Sequence, residues 1–164
     1  MFFASTTFTL IHVLLSLIGI VAGFAVVFGL LRSEMRDGWT ATFLASTIAT
    51  SVTGFFFPFD QFLPSHWVGV ISLVVLAAAV LARYVFQVAG AWRWVYVVSA
   101  VAALYFNTFV LVVQAFRKIP ALHALAPAES EPPFAIAQGV VLILFVVLGF
   151  AAVRAFRPRM ALAA

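Results

Sequence analysis

The chain is written in long apolar blocks separated by short polar breaks, and each block is long enough to cross a bilayer. A helix needs about 20 predominantly apolar residues to span roughly 30 Å of hydrocarbon. The 164 residues therefore hold about five spans with short loops and leave no stretch for a soluble domain. Charged residues make up only 9% of the chain, against about 25% in an average soluble domain, so too little polar surface exists to face water. Residues 1–164 read as a single integral-membrane domain.

The spans are helices. Transmembrane strands alternate apolar and polar residues over about ten positions, whereas these blocks are apolar on nearly all sides for twice that length. A helix also satisfies its own backbone groups in lipid. The expected fold is an all-α polytopic bundle, with spans at roughly Phe8 to Leu31, Thr40 to Phe57, His66 to Phe86, Trp94 to Phe116 and Phe134 to Phe156. Span two is short and rich in Ser and Thr, so four spans is the alternative count. Residues Met1 to Thr9 lack the basic stretch of a cleaved signal peptide, and the first block is expected to be retained as a span.

Orientation follows from Lys and Arg. In a five-span chain Arg32, Arg36, Arg83, Arg93, Arg154, Arg157 and Arg159 share one side, against Arg117 and Lys118 on the other. Seven against two predicts an outer N-terminus and an inner C-terminus, and a bacterial cytoplasmic membrane is the expected setting. Trp39, Trp92 and Trp94 then mark the inner interface, with Trp67 and the Phe55 to Phe59 cluster at the outer one. The net charge of +4 is carried by residues at the ends of apolar runs. That is the pattern of membrane topology, and nucleic acid is not an expected partner.

No cysteine is present, which removes disulfides, thiolate metal sites and iron–sulfur clusters. No nucleophile motif such as G-x-S-x-G occurs. Glu129 and Glu131 sit beside Pro132 and Pro133 as loop acids, and no acid or lysine lies mid-span to mark an ion path. Enzymatic activity is not expected, and neither is ion-coupled pumping.

Three sets of residues carry the remaining information. Ser16, Gly19 and Gly23 form a small-residue stripe on span one, suited to close helix packing within the bundle or to assembly with a second copy or a larger complex; Gly54 on span two is a further packing glycine. Asn107, Gln114, Gln138, Ser16 and Thr50 are candidates for a polar network, or for the lining of a cavity that takes a small ligand, a lipid or a quinone. His12 and His66 fall near the outer ends of spans one and three. Imidazole suits iron, copper and zinc, so this pair is a candidate site for a metal ion or a b-type haem. These sets give three expectations of function: a binding or accessory component of the membrane, a redox protein, or a permease for a small molecule or lipid. Ser65 is the expected N-cap of span three.

Two stretches, Tyr105-Phe106-Asn107-Thr108-Phe109-Val110 running to Arg117-Lys118-Ile119-Pro120, and Ser130-Glu131-Pro132-Pro133-Phe134-Ala135-Ile136-Ala137-Gln138, resemble small multi-span bacterial inner-membrane proteins of no assigned function. The resemblance covers about a fifth of the chain and implies a helical inner-membrane protein without implying an activity. The bundle is also loosely similar to cytochrome b561-like proteins. Those place histidines deep in several spans, whereas this chain keeps His12 and His66 near span ends.

Overall fold

The computed structural model describes residues 6–57 and 64–157, with the side chains of residues 64 and 65 left aside. The loop at residues 58–63, Arg159 and the proposed Ser65 cap lie outside these. Six helices occur among the described residues: α1 (Thr6–Leu31), α2 (Asp37–Gly54), α3 (Pro64–Val80), α4 (Trp92–Lys118), α5 (Pro120–Leu125) and α6 (Pro132–Ala155). A π-helical stretch, Leu81–Val85, extends α3. Among the described residues four helices are long and apolar enough to cross a membrane: α1, α3 with its extension, α4 and α6. The α2 helix is not among them. It has 18 residues, about 27 Å at the usual rise, and its Thr and Ser side chains lower its hydropathy.

Five of the helices run up and down in succession, as contacts at both ends show. Gly29 near the end of α1 sits over Arg36 at the start of α2, and His12 near the start of α1 bonds Thr53 near the end of α2. Ser51 on α2 meets Ser72 on α3 at 3.3 Å, while Asp37 at the other end of α2 pairs with Arg83. Along α4, Arg93 donates to the carbonyl of Phe156 just after α6, and Phe109 accepts from Gln138 near the start of α6. Antiparallel neighbours with short loops are the low-cost topology for a helical bundle.

The helix ends obey local rules. After α1, Ser33 adopts a left-handed φ of 59°, and the N–H groups of Glu34 and Ser33 return to the carbonyls of Gly29 and Leu30. This is a Schellman closure, which satisfies carbonyls that have no partner further along the helix. The Ser33 hydroxyl donates to the carbonyl of Arg157 and accepts from its N–H, both at 2.8 Å, tying the end of α1 to the end of α6. Pro120 opens α5 and Pro132-Pro133 open α6, positions where a missing N–H costs nothing.

One end of the bundle carries Arg32, Arg36, Arg83, Arg93, Arg154 and Arg157; the other carries all three histidines, with His123 on α5. The two halves are packed differently. The arginine half is solid: Leu30, Phe43, Tyr96, Val97, Leu104 and Phe156 are each at most 1% exposed. The small-residue stripe of α1 makes this approach possible. A Cβ on Gly23 would lie 2.6 Å from Leu104 Cδ1 and 2.9 Å from the Phe43 ring, and one on Gly19 would lie 2.8 Å from Thr47 Oγ1. Both glycines thus serve the packing of α1 against α2 and α4 within one chain.

Candidate functional site

The histidine half holds an open-mouthed cavity of about 560 Å³ between α1, α2, α3 and α4. Its floor is polar. Asn107, 6% exposed on α4, accepts a hydrogen bond from the Ser16 hydroxyl at 2.8 Å and donates to the Ser16 carbonyl at 3.3 Å. Asn107 therefore fixes the depth and rotation of α4 against α1. In lipid such a bond contributes about 0.6 kcal/mol on average. Beside it, the Thr47 hydroxyl is buried and has no hydrogen-bond partner among the described residues.

Of the α2 hydroxyls that line the cavity, Thr50 donates to the Ser46 carbonyl at 2.9 Å and Ser51 to the Ser72 hydroxyl at 3.3 Å; behind them Ser46 and Thr53 donate to the carbonyls of Thr42 and Ala49 at 2.6 and 2.7 Å. Back-bonding of this kind makes hydroxyls tolerable in an apolar setting. It also settles the His12 ring. Thr53 spends its proton on Ala49, so its 2.8 Å contact with His12 Nδ1 requires Nδ1 to donate. The lone pair of His12 then lies on Nε2.

Aromatic rings place the two histidines at the upper wall. The Phe57 ring meets His12 edge-on with centroids 5.0 Å apart, and Phe55 tilts against His66 at 5.7 Å. His66 is buried, 7% exposed. Both imidazoles line the same cavity, although no group of three His, Cys, Asp or Glu side chains suited to a metal occurs among the described residues. Lys118, at the end of α4, is the single charged side chain among the described lining residues. From Asn107 to Lys118 is eleven residues, about 16 Å along the helix axis.

The chain matches no protein-family model, no curated protein and no solved structure.

The structure brings His12, His66, Ser16, Thr50, Gly54, Asn107 and Gln114 to one cavity. Gln138 stands apart, on the side of α4 that faces α6, where its Nε2 donates to the Phe109 carbonyl at 3.2 Å. Sequence reasoning missed Lys118 and Ser72 as lining residues. Lys118 falls four residues after Gln114 and eleven after Asn107, so helical spacing alone places it on the Asn107 face. Ser72 carried no such signal, because nothing in α3 marks which face turns towards α2. The lining offers a mostly apolar wall, a hydrogen-bonding floor, two imidazoles and one cation. No paired carboxylate lies among the described lining residues.

Proposed function

We propose that the protein is a membrane-embedded binding protein, an accessory component that holds a small amphiphile in its cavity between α1, α2, α3 and α4. The observation that carries the reading is the contrast between the two halves of the bundle. The arginine half buries Leu30, Phe43, Tyr96, Val97, Leu104 and Phe156 almost completely, yet the histidine half leaves about 560 Å³ open. A gap of that size is well within the range of ligand sites.

In this reading α2 crosses as a fifth span, shielded by α1 and α3, with the arginine end on the cytoplasmic side of a bacterial inner membrane. The positive-inside rule supports that orientation. The histidine end, with the cavity, then faces outward. Transport of the same molecule, as in a permease, requires a continuous path, and the packed arginine half argues for holding over passage.

A second reading draws on His12 and His66 lining one cavity, which suits a metal or haem site. Two imidazoles alone leave a metal short of the four ligands usual for zinc, and no third His, Cys, Asp or Glu joins them among the described residues.

The test is native mass spectrometry of protein extracted gently from its own membrane. Wild-type protein should carry a small apolar adduct, and Gly54→Leu, which directs a side chain into space where only His12 Cε1 lies nearby at 3.7 Å, should lose it. Identical adducts on both proteins overturn the proposal. A Soret band that moves on reduction and vanishes in His12→Ala overturns it in favour of haem.

A further inference from the structure

The charge distribution at the cavity mouth carries the reading one step further, and the step rests on the cavity being a binding site. Lys118 lines the cavity and has no ion pair among the described residues. The acids nearest in sequence are otherwise engaged. Glu129 pairs with Arg117, and Glu131 accepts from the backbone N–H groups of Ala128 and Ser130 at 3.1 and 3.0 Å. One turn deeper, Gln114 presents to the cavity an amide with no hydrogen bond to any described residue. An ammonium with a free amide one helical turn below it forms a donor pair at the mouth of an apolar pocket, with no acid among the described lining residues to neutralise it.

We propose that the ligand is a single-chain anionic amphiphile, with its headgroup against Lys118 and Gln114 and its chain running down towards Asn107. The size agrees. A cavity of about 560 Å³ is within the range of sites that take one small molecule, which suits a single chain with its head. About 16 Å separates Lys118 from the polar floor along α4, room along the helix for most of one acyl chain. The geometry also places the charge properly. Lys118 is the last residue of α4, where a lysine reaches the membrane interface while its stem lies along apolar surface, so the ligand's head stays at the level of lipid headgroups. The anion is a carboxylate or a phosphate, as in a free fatty acid or a single-chain lysophosphatidate.

The experiment is equilibrium binding to the full chain in nanodiscs of neutral phosphatidylcholine, using four probes of equal chain length: palmitate, palmitoyl lysophosphatidate, hexadecanol and hexadecyltrimethylammonium. At least one of the two anions should bind one per chain and at least tenfold tighter than the alcohol, with the ammonium weakest. Lys118→Gln should erase that advantage, and Lys118→Arg should keep it. Arg117→Gln, which removes the same charge one residue away from a side chain that does not line the cavity, should leave it intact. Which anion wins distinguishes a carboxylate from a phosphate source. Equal binding of alcohol and anions, or equal losses in Lys118→Gln and Arg117→Gln, overturns the anionic ligand. If Gly54→Leu still abolishes binding of the alcohol in that case, the cavity survives as a binding site. If no probe binds, or Gly54→Leu changes nothing, both readings fall.

Discussion

Adding one methyl group at Gly23 should destabilise the bundle, and the same methyl at Gly139 should not. The new Cβ at Gly23 would meet Leu104 Cδ1 at 2.6 Å and two Phe43 ring atoms at 2.9 and 3.0 Å. Leu104 and Phe43 are 0% and 1% exposed, so neither has room to retreat. Overpacking a dense core costs about 1–3 kcal/mol. Alanine in a helix interior returns about 0.5–1 kcal/mol relative to glycine, which leaves a net loss of about 1 kcal/mol. At Gly139 a Cβ meets nothing within 4 Å, so only the helix term acts and the variant gains about 0.5–1 kcal/mol. The helix term is common to both variants and cancels in their difference, which isolates the steric cost at about 1–3 kcal/mol. Reversible unfolding in mixed micelles, followed by tryptophan fluorescence, measures that difference. Equal stability of Gly23→Ala and Gly139→Ala would refute the close approach of α1 to α2 and α4. A Gly23→Ala penalty that grows on dilution would instead move the glycine to an interface between chains.

Two further outcomes are expected. Asn107→Leu and Ser16→Ala should each destabilise the bundle, and a double-mutant cycle should give a coupling of about 0.6 kcal/mol; purely additive losses would mean that the two side chains do not meet. Backbone donation from Ala128, then from Glu131 itself and Ser130, holds the Glu131 carboxyl below its ordinary value. A depressed carboxylate favours the folded loop above the ordinary glutamate range, and that contribution disappears as pH falls through the lowered folded value. The amide shifts of Ala128 and Ser130 should therefore titrate below the ordinary glutamate value and lose that titration in Glu131→Gln. A midpoint at or above the ordinary value would contradict the turn.

Much of this architecture is legible residue by residue. The face Tyr96, Ala100, Ala103, Asn107 and Gln114 of α4 is marked by helical spacing, and the fold buries the first four at 0%, 0%, 0% and 6% exposure while Gln114 is only half-buried. The glycine stripe of α1 is equally visible, because a helix surface without Cβ atoms is useful only where another backbone approaches. The boundary of span two was less visible. Its apolar run ends near Phe57, yet α2 closes at Gly54, since hydropathy does not register where a helix stops bonding to itself. The cavity was less visible still. Gln114 and Gln138 look alike in sequence, each a lone amide in an apolar helix. One opens on the cavity while the other bonds across to α4.

The sequence by itself determined that the chain is helical, apolar enough for a membrane, and polarised between an arginine end and a histidine end. Each of these is a property of one segment at a time, set by hydropathy, backbone satisfaction and the charge at segment ends. Only the tertiary structure decided that one half of the bundle is solid and the other hollow, that Ser16 holds Asn107, and that Lys118 stands at the mouth of the cavity. A cavity is the space that several helices leave between them. Its existence depends on the rotation and depth of each helix relative to the others, and those are fixed by side-chain contacts between segments far apart in the chain.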